Sequence, residues 1–219
     1  MPGEPFTATS AGLPAVRGFL HRPASPSPDG FVLTHGAGGN ADGRLLVDLA
    51  VAFAASGITV LRCDLPFRQT RRTGPPSRAS GPMDRAGLAH AVAAVRALDV
   101  DRVFLGGQSY GGRQASILAA DEPELITGLL LLSYPLHPPG RPGDLRTAHF
   151  PKIRSRVVFI HGVSDPFGSP EEIEAARALI TAPTTLILTD GGHDLGYRTP
   201  RRDLIARIVG ACASWRVPI

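Results

Sequence analysis

Three residue types that together can activate a hydroxyl group stand at the ends of apolar runs in this sequence. Ser109 lies in Gly107-Gln108-Ser109-Tyr110-Gly111, a G-x-S-x-G pattern. Val103-Phe104-Leu105 precedes it and a helix-like stretch, Arg113 to Ala120, follows. Asp165 follows the run Arg156–His161, and His193 follows Thr184–Leu188. A serine hydroxyl is a poor nucleophile until a neutral imidazole takes its proton. The imidazole in turn needs a carboxylate to fix its tautomer and to stabilise the imidazolium that forms. The same turn can stabilise an oxyanion, because a helix start presents free N–H groups and a positive dipole end. One donor is expected from the N–H of Tyr110. The second is expected from the loop His35-Gly36-Ala37-Gly38-Gly39, with Ala37 as its donor.

Each residue also has a bland reading. G-x-S-x-G alone is a modest signal in a chain with 25 glycines, and it can be a tight turn with an idle serine. Asp165 alone is a turn former or helix cap. Asp190 and Asp194 compete with it for His193, but both sit in the same short turn as the imidazole. His193 has no second histidine or cysteine at ligand spacing, so no metal is expected. Gly36, Gly38 and Gly39 lack the lysine and the Ser/Thr of a phosphate loop, so no nucleotide cofactor is expected. His35 and His161 also end strands and read as packing residues. The combination, in the order Ser, Asp, His, is far more specific than any one part.

The elements that must position these residues alternate. Apolar runs at Phe31–Thr34, Ile58–Cys63, Arg102–Gly107, Ile126–Tyr134, Arg156–His161 and Thr184–Leu188 predict strands. Helical spacing appears over residues 42–56, from Asp84 (as an N-cap) to about Leu98, after Ser169-Pro170-Glu171-Glu172, and over 200–215. Residues 1–14 read as a loose arm or ragged edge strand, and Ala15–His21 as an edge strand. Leu65 to Pro82 reads as a long loop. Continuously apolar strands between helices predict an α/β fold, a mostly parallel sheet covered on both faces, as a single domain over 1–219. In such a sheet ligands bind beyond the carboxyl ends of the strands, where all three candidates fall.

Composition narrows the class. A chain of 219 residues, 43% hydrophobic and 19% charged, is an ordinary globular protein. The net charge of +4 comes almost wholly from arginine, Lys152 being the one lysine. The arginines are scattered and carry no recognition motif, so nucleic-acid binding is not expected. No run is long enough to cross a bilayer, and no membrane partner is expected. Cys63 and Cys212 are isolated and read as reduced thiols. The start Met-Pro-Gly-Glu-Pro lacks the basic and apolar regions of a secretory leader, so a cytoplasmic protein is expected.

The segments LTHGAGGN (33–40), RCDLPF (62–67), GGQSYGGR (106–113), SYPLHPPGRP (133–142), IHGVSDPFGS (160–169) and GGHD (191–194) together resemble a known family. The chain is similar to α/β-hydrolases of the small, lidless kind related to dienelactone hydrolases. Within these it most resembles the subgroup containing the hydrolase-like domain of a chromatin NSL-complex subunit and its short bacterial relatives. The resemblance covers nearly the whole chain from Phe31. It implies the fold, and the roles of Ser109, Asp165 and His193. Dienelactone hydrolases typically carry cysteine as nucleophile where this chain has Ser109, so their substrate does not follow.

Only about twenty residues separate Tyr134 from Arg156, and their proline content implies a compact loop with a minimal lid or none. A small ester or thioester is therefore the expected substrate, handled as by a carboxylesterase or thioesterase. Gly38, Tyr134, His137, Arg68 and Arg113 are candidate substrate-binding residues, and His149 is a further candidate for the cleft. Arg68, Arg71, Arg72 and Arg78, with Arg198, Arg201 and Arg202, either steer anionic esters or form solvated loops. Two alternatives stay open: a non-catalytic interaction module on this fold, and acyl transfer to an acceptor such as peroxide.

Overall fold

The computed structural model describes residues 3–198 and 201–216, without the side chain of Arg216. Eight strands form one sheet in the order β1-β2-β4-β3-β5-β6-β7-β8. The strands are β1 Glu4–Ala8, β2 Val16–His21, β3 Asp29–Thr34, β4 Thr59–Cys63, β5 Arg102–Gln108, β6 Gly128–Leu132, β7 Arg156–Gly162 and β8 Thr184–Thr189. From β4 to β8 every pairing is parallel, while β1 and β2 add antiparallel at one edge. The first segment is thus an ordered edge strand. β3, β4 and β6 are buried at every residue, which explains their unbroken apolar runs.

Helices cover both faces. α1 Arg44–Ala55 and α6 Arg202–Ala213 bury Leu46, Leu49, Phe53, Leu204 and Ile208 on one side. α3 Ser80–Arg96, α4 Tyr110–Asp121 and α5 Pro170–Arg177 bury Leu88, Val92, Leu118 and Ile173 on the other. Ser169 caps α5 in a reciprocal capping box with Glu172. Trp215 stacks near Phe31 and Phe104 and fills the place where a side chain on Gly128 would lie. None of the helices among the described residues is long and apolar enough to cross a membrane.

Two sequence expectations change. The segment expected as a loop over Leu65–Pro82 contains a short helix, α2 Pro66–Thr70, and α3 already begins at Ser80. Asp84 is therefore not an N-cap. It lies inside α3, fully buried, with both oxygens bonded to other segments. A local acidic residue before an apolar helical pattern resembles a cap; only the tertiary partners reveal the difference. Arg62 is likewise buried in mid-sheet, donating to His21 Nε2 at 2.9 Å and to the Ala41 carbonyl, above the Phe19 ring.

Candidate active site

β5 runs into α4 through Ser109, whose φ of +49° and ψ of −115° are strained for a residue with a side chain. The crossing is so close that only glycine fits. A Cβ on Gly107 would come within 2.6 Å of the Gly111 and Gly112 backbone, and one on Gly111 within 2.3 Å of the His35 carbonyl oxygen. The turn is pinned by Ser109 N–H to Leu132 O (2.8 Å) and Arg113 N–H to Ser109 O (2.9 Å). This geometry presents the Ser109 hydroxyl at the carboxyl edge of the sheet.

His193 Nε2 lies 2.8 Å from Ser109 Oγ. Its Nδ1 lies 2.8 Å and 3.0 Å from the two Asp165 oxygens. Nδ1–H therefore donates to the carboxylate, which leaves Nε2 as the acceptor facing the hydroxyl. The Asp165 side chain is fully buried while that of His193 is 27% exposed, so the carboxylate is shielded and the imidazole can be reached. Asp165 also accepts the Phe167 N–H at 2.9 Å, and the Phe167 ring stacks on the imidazole with centroids 4.2 Å apart. The competing carboxylates lie elsewhere: Asp194 accepts from Gly196 N–H and Arg198, and Asp190 is exposed.

The loops that carry Asp165 and His193 are locked by backbone. Ser164 N–H donates to Gly191 O (2.9 Å) and Val163 N–H to Thr189 O (3.0 Å). A Cβ on Gly162 would lie 2.2 Å from the Gly192 carbonyl oxygen. His161 supports the same corner, with Nε2 2.7 Å from Gly168 O.

Opposite this corner lies the loop after β3. Gly36 is packed against the serine, a Cβ there falling 3.4 Å from Ser109 Cβ. The Gly36 carbonyl accepts from Gly39 N–H (3.1 Å) and from His35 Nδ1 (2.8 Å). A trans peptide then turns the Ala37 N–H to the opposite side, away from those donors. His35 Nε2 accepts from Leu65 N–H at 3.1 Å, so the ring is a neutral Nδ1–H tautomer, and burial lowers its pKa further. Tyr110 begins α4, so its N–H has no carbonyl one turn earlier in the helix.

A family model described as an alpha/beta hydrolase domain matches residues 28–209. The chain belongs to the alpha/beta hydrolase family. Among solved structures, it is similar to an alpha-beta serine hydrolase homologue from Coxiella burnetii, at 16% identity, TM-score 0.75, covering 99% of both chains. It is also similar to Est1E from Butyrivibrio proteoclasticus (18% identity, TM-score 0.73, 97% of both chains). A dienelactone hydrolase from Anabaena variabilis shares 17% identity with a TM-score of 0.72, again over 97% of both chains. At these identities the likeness is one of fold.

The other residues expected around the cleft of this alpha/beta hydrolase have different surroundings. Gly38 faces open space. Tyr134 is 1% exposed, packs on Phe150 and Phe159, and donates to Arg146 O at 2.6 Å; it belongs to the core beneath the loop that follows β6. His137 is buried with Nδ1 2.8 Å from Pro138 O and Nε2 3.2 Å from Glu172. The Pro138 carbonyl and Glu172 raise its pKa. His149 meets Ser116 Oγ at 2.8 Å and is held neutral, its pKa lowered to about 4 mainly by burial and then by Arg113. Arg113 is partly exposed, with its Nε buried and without a hydrogen-bond partner among the described residues.

The arginine-rich segment divides. Arg71, Arg72 and Arg78 are exposed. Arg68 is buried, and its guanidinium donates to four backbone carbonyls: Gly39 (2.8 Å), Ala37 (2.7 Å), Arg71 (3.0 Å) and Gly74 (3.0 Å). It faces protein, where the sequence suggested a group free to meet substrate. Arg198 pairs with Asp194, and Arg201 with Thr189, the Asp190 carbonyl and Asp203. The contact of Phe167 with His193 and those of Asp84 with Phe67 and Tyr110 escaped sequence reading; the adjacency of Phe167 to Asp165-Pro166 was the one available signal. Between β6 and β7 the sole regular element is a 3₁₀ turn, Phe150–Lys152, so this connection carries no helical lid. A groove of about 730 Å³ between α1 and α6, lined among others by Val51, Ala55 and Val209, includes Arg202 but not Ser109, Asp165 or His193.

Proposed function

We propose that this alpha/beta hydrolase is a serine hydrolase acting on small esters or thioesters through an acyl-enzyme. The observation that carries the reading is the continuous hydrogen-bond chain from Ser109 Oγ through His193 to the buried Asp165. In the first half-reaction His193 Nε2 takes the Ser109 proton as Oγ attacks the substrate carbonyl carbon. The N–H groups of Tyr110 and Ala37 hold the developing oxyanion. Asp165 keeps the imidazole oriented and stabilises its positive charge. Collapse of the tetrahedral intermediate breaks the bond to the leaving group, which receives the proton from His193. In the second half a water loses its proton to His193 and attacks the acyl carbon. The carboxylic acid departs and the proton returns to Ser109.

The short loop after β6 supports small or exposed acyl groups over long buried chains. A fluorophosphonate probe and p-nitrophenyl acetate test the proposal. Wild-type protein should be labelled and should turn the ester over; Ser109→Ala should do neither. Labelling retained in Ser109→Ala refutes the nucleophile, and an unreactive wild type favours a non-catalytic interaction module. Product analysis with added peroxide separates hydrolysis from acyl transfer.

A further inference from the structure

The two N–H groups assigned to the oxyanion come from stretches of chain that are far apart in sequence. Tyr110 starts α4, and Ala37 lies in the loop after β3. Their spacing must hold to a few tenths of an ångström if both are to reach one oxygen. Besides the direct approach of Gly111 to the His35 carbonyl, a chain of polar and ring contacts links them. Tyr110 Oη donates to Asp84 Oδ2 at 2.7 Å. Asp84 Oδ1 accepts the Phe67 N–H at 3.0 Å. The Phe67 ring stands edge-on to the Tyr110 ring, at 5.6 Å and 88°, and also meets the His35 ring at 5.7 Å. The next residue, Arg68, lies over the Phe67 ring and donates to the carbonyls of Ala37 and Gly39.

We propose that Asp84 and Arg68 are positioning residues that fix the distance between the Tyr110 and Ala37 donors, bridging them through α2. This rests on the serine-hydrolase reading of the same site.

Two charge-bearing side chains buried without an ion-pair partner among the described residues are a costly way to satisfy these groups. Asp84 is fully buried and its oxygens accept from a phenol and a backbone N–H. Burial raises its pKa, so its charged form is disfavoured where it stands. Arg68 is buried with no carboxylate paired to it among the described residues. Apolar residues of similar volume often replace a buried ion pair at no loss of stability, whereas in place of Arg68 they would leave four carbonyls without this donor. What they cannot do is hold specific carbonyls. The planar guanidinium fork reaches two carbonyls of one tight turn at once, which a lysine ammonium on a flexible stem does not reproduce. Because Arg68 holds the Ala37 carbonyl and His35 holds the Gly36 carbonyl, the peptides on both sides of Ala37 are fixed. Burial and then Asp84 push the Tyr110 hydroxyl above its usual range, so it remains a donor.

The test compares wild type with Arg68→Lys, Asp84→Asn and Tyr110→Phe, with exposed Arg72→Ala as control. Melting temperature, kcat and KM for a p-nitrophenyl ester, and inhibition by a trifluoromethyl ketone, which forms a tetrahedral adduct on the serine, are measured for each. Arg68→Lys and Asp84→Asn should lower kcat about 10–100-fold with KM within about twofold. The ketone should lose affinity by the same factor. Tyr110→Phe, which deletes one hydroxyl and keeps the ring, should lose about threefold to tenfold of kcat and keeps the test open if the other variants do not fold. Folded variants with wild-type kcat and ketone affinity overturn the inference alone. So does a loss of kcat without a matching loss of ketone affinity. A wild type that neither labels nor turns over overturns the hydrolase reading and the inference with it.

Discussion

The two flanks of Ser109 are built differently. On the His193 side the loops meet through backbone: Gly162 against Gly191 and Gly192, and Ser164 N–H on Gly191 O. On the Ala37 side the one close backbone approach, Gly111 against the His35 carbonyl, is joined by a bridge of side chains, Asp84 and Arg68, buried and bonded to backbone and phenol. A backbone junction admits no substitution without a clash, so errors there damage fold and site together. A side-chain junction can be cut one hydrogen bond at a time. The His193 side should therefore behave as a structural unit and the side-chain bridge on the Ala37 side as an adjustable one.

The largest effect should come from the buried Asp165. Asp165→Asn keeps the volume but loses the preference for the Nδ1–H tautomer. On the proposed reading, ester turnover should fall by about 10⁴-fold with little change in melting temperature; a loss under tenfold would remove Asp165 from its role. Gly162→Ala comes next. Its Cβ would lie 2.2 Å from Gly192 O, and overpacking of this kind costs about 1–3 kcal/mol. Calorimetry should show a lowered melting temperature, and kcat should fall about 100-fold as His193 is displaced. If the protein melts normally with full activity, the backbone-locked account of this side is wrong. Phe167→Leu removes the ring stacked on His193 and should reduce kcat on the order of tenfold with the fold intact.

Smaller effects sharpen the contrast on the other flank. Gly38→Ala adds a methyl to open space, so chemical denaturation should shift by less than about 0.5 kcal/mol. Acid should destabilise the molecule through His21 and His149, each with a pKa lowered to about 4, mainly by burial. Both bind protons more readily when unfolded. Stability should thus be complete above pH about 6.5 and fall as pH drops toward 4. His149→Gln, which can still donate to Ser116, should flatten that slope in melting curves recorded across the range. An unchanged slope would show that His149 titrates normally in the fold.

Much of the architecture is legible without coordinates, because its signals are local. Unbroken apolar runs such as Phe31–Thr34 and Leu129–Leu132 mark strands buried on both faces. The Ser169–Glu172 capping box marks the start of α5. Gly107, Gly111 and Gly112 around Ser109 mark a crossing too close for side chains. The alternation of strands and helices sends Ser109, Asp165 and His193 to one edge of the sheet, and their atoms lie within hydrogen-bonding distance there.

The arginines and buried polar residues are not legible in this way. Arg68, Arg71 and Arg72 are the same residue type within five positions, yet only Arg68 turns inward, toward a ring of carbonyls from residues 37–39 and 71–74. Asp84 imitates a helix cap, and Tyr134 a cleft residue, until their partners at residues 67, 110 and 146 are known. Sequence by itself determined the order of the elements and the edge at which Ser109, Asp165 and His193 gather, since both follow from backbone periodicity and glycine sterics. Tertiary structure alone decided which polar side chains face substrate and which hold the scaffold, since a buried charge takes its role from whichever donors and acceptors the fold places around it.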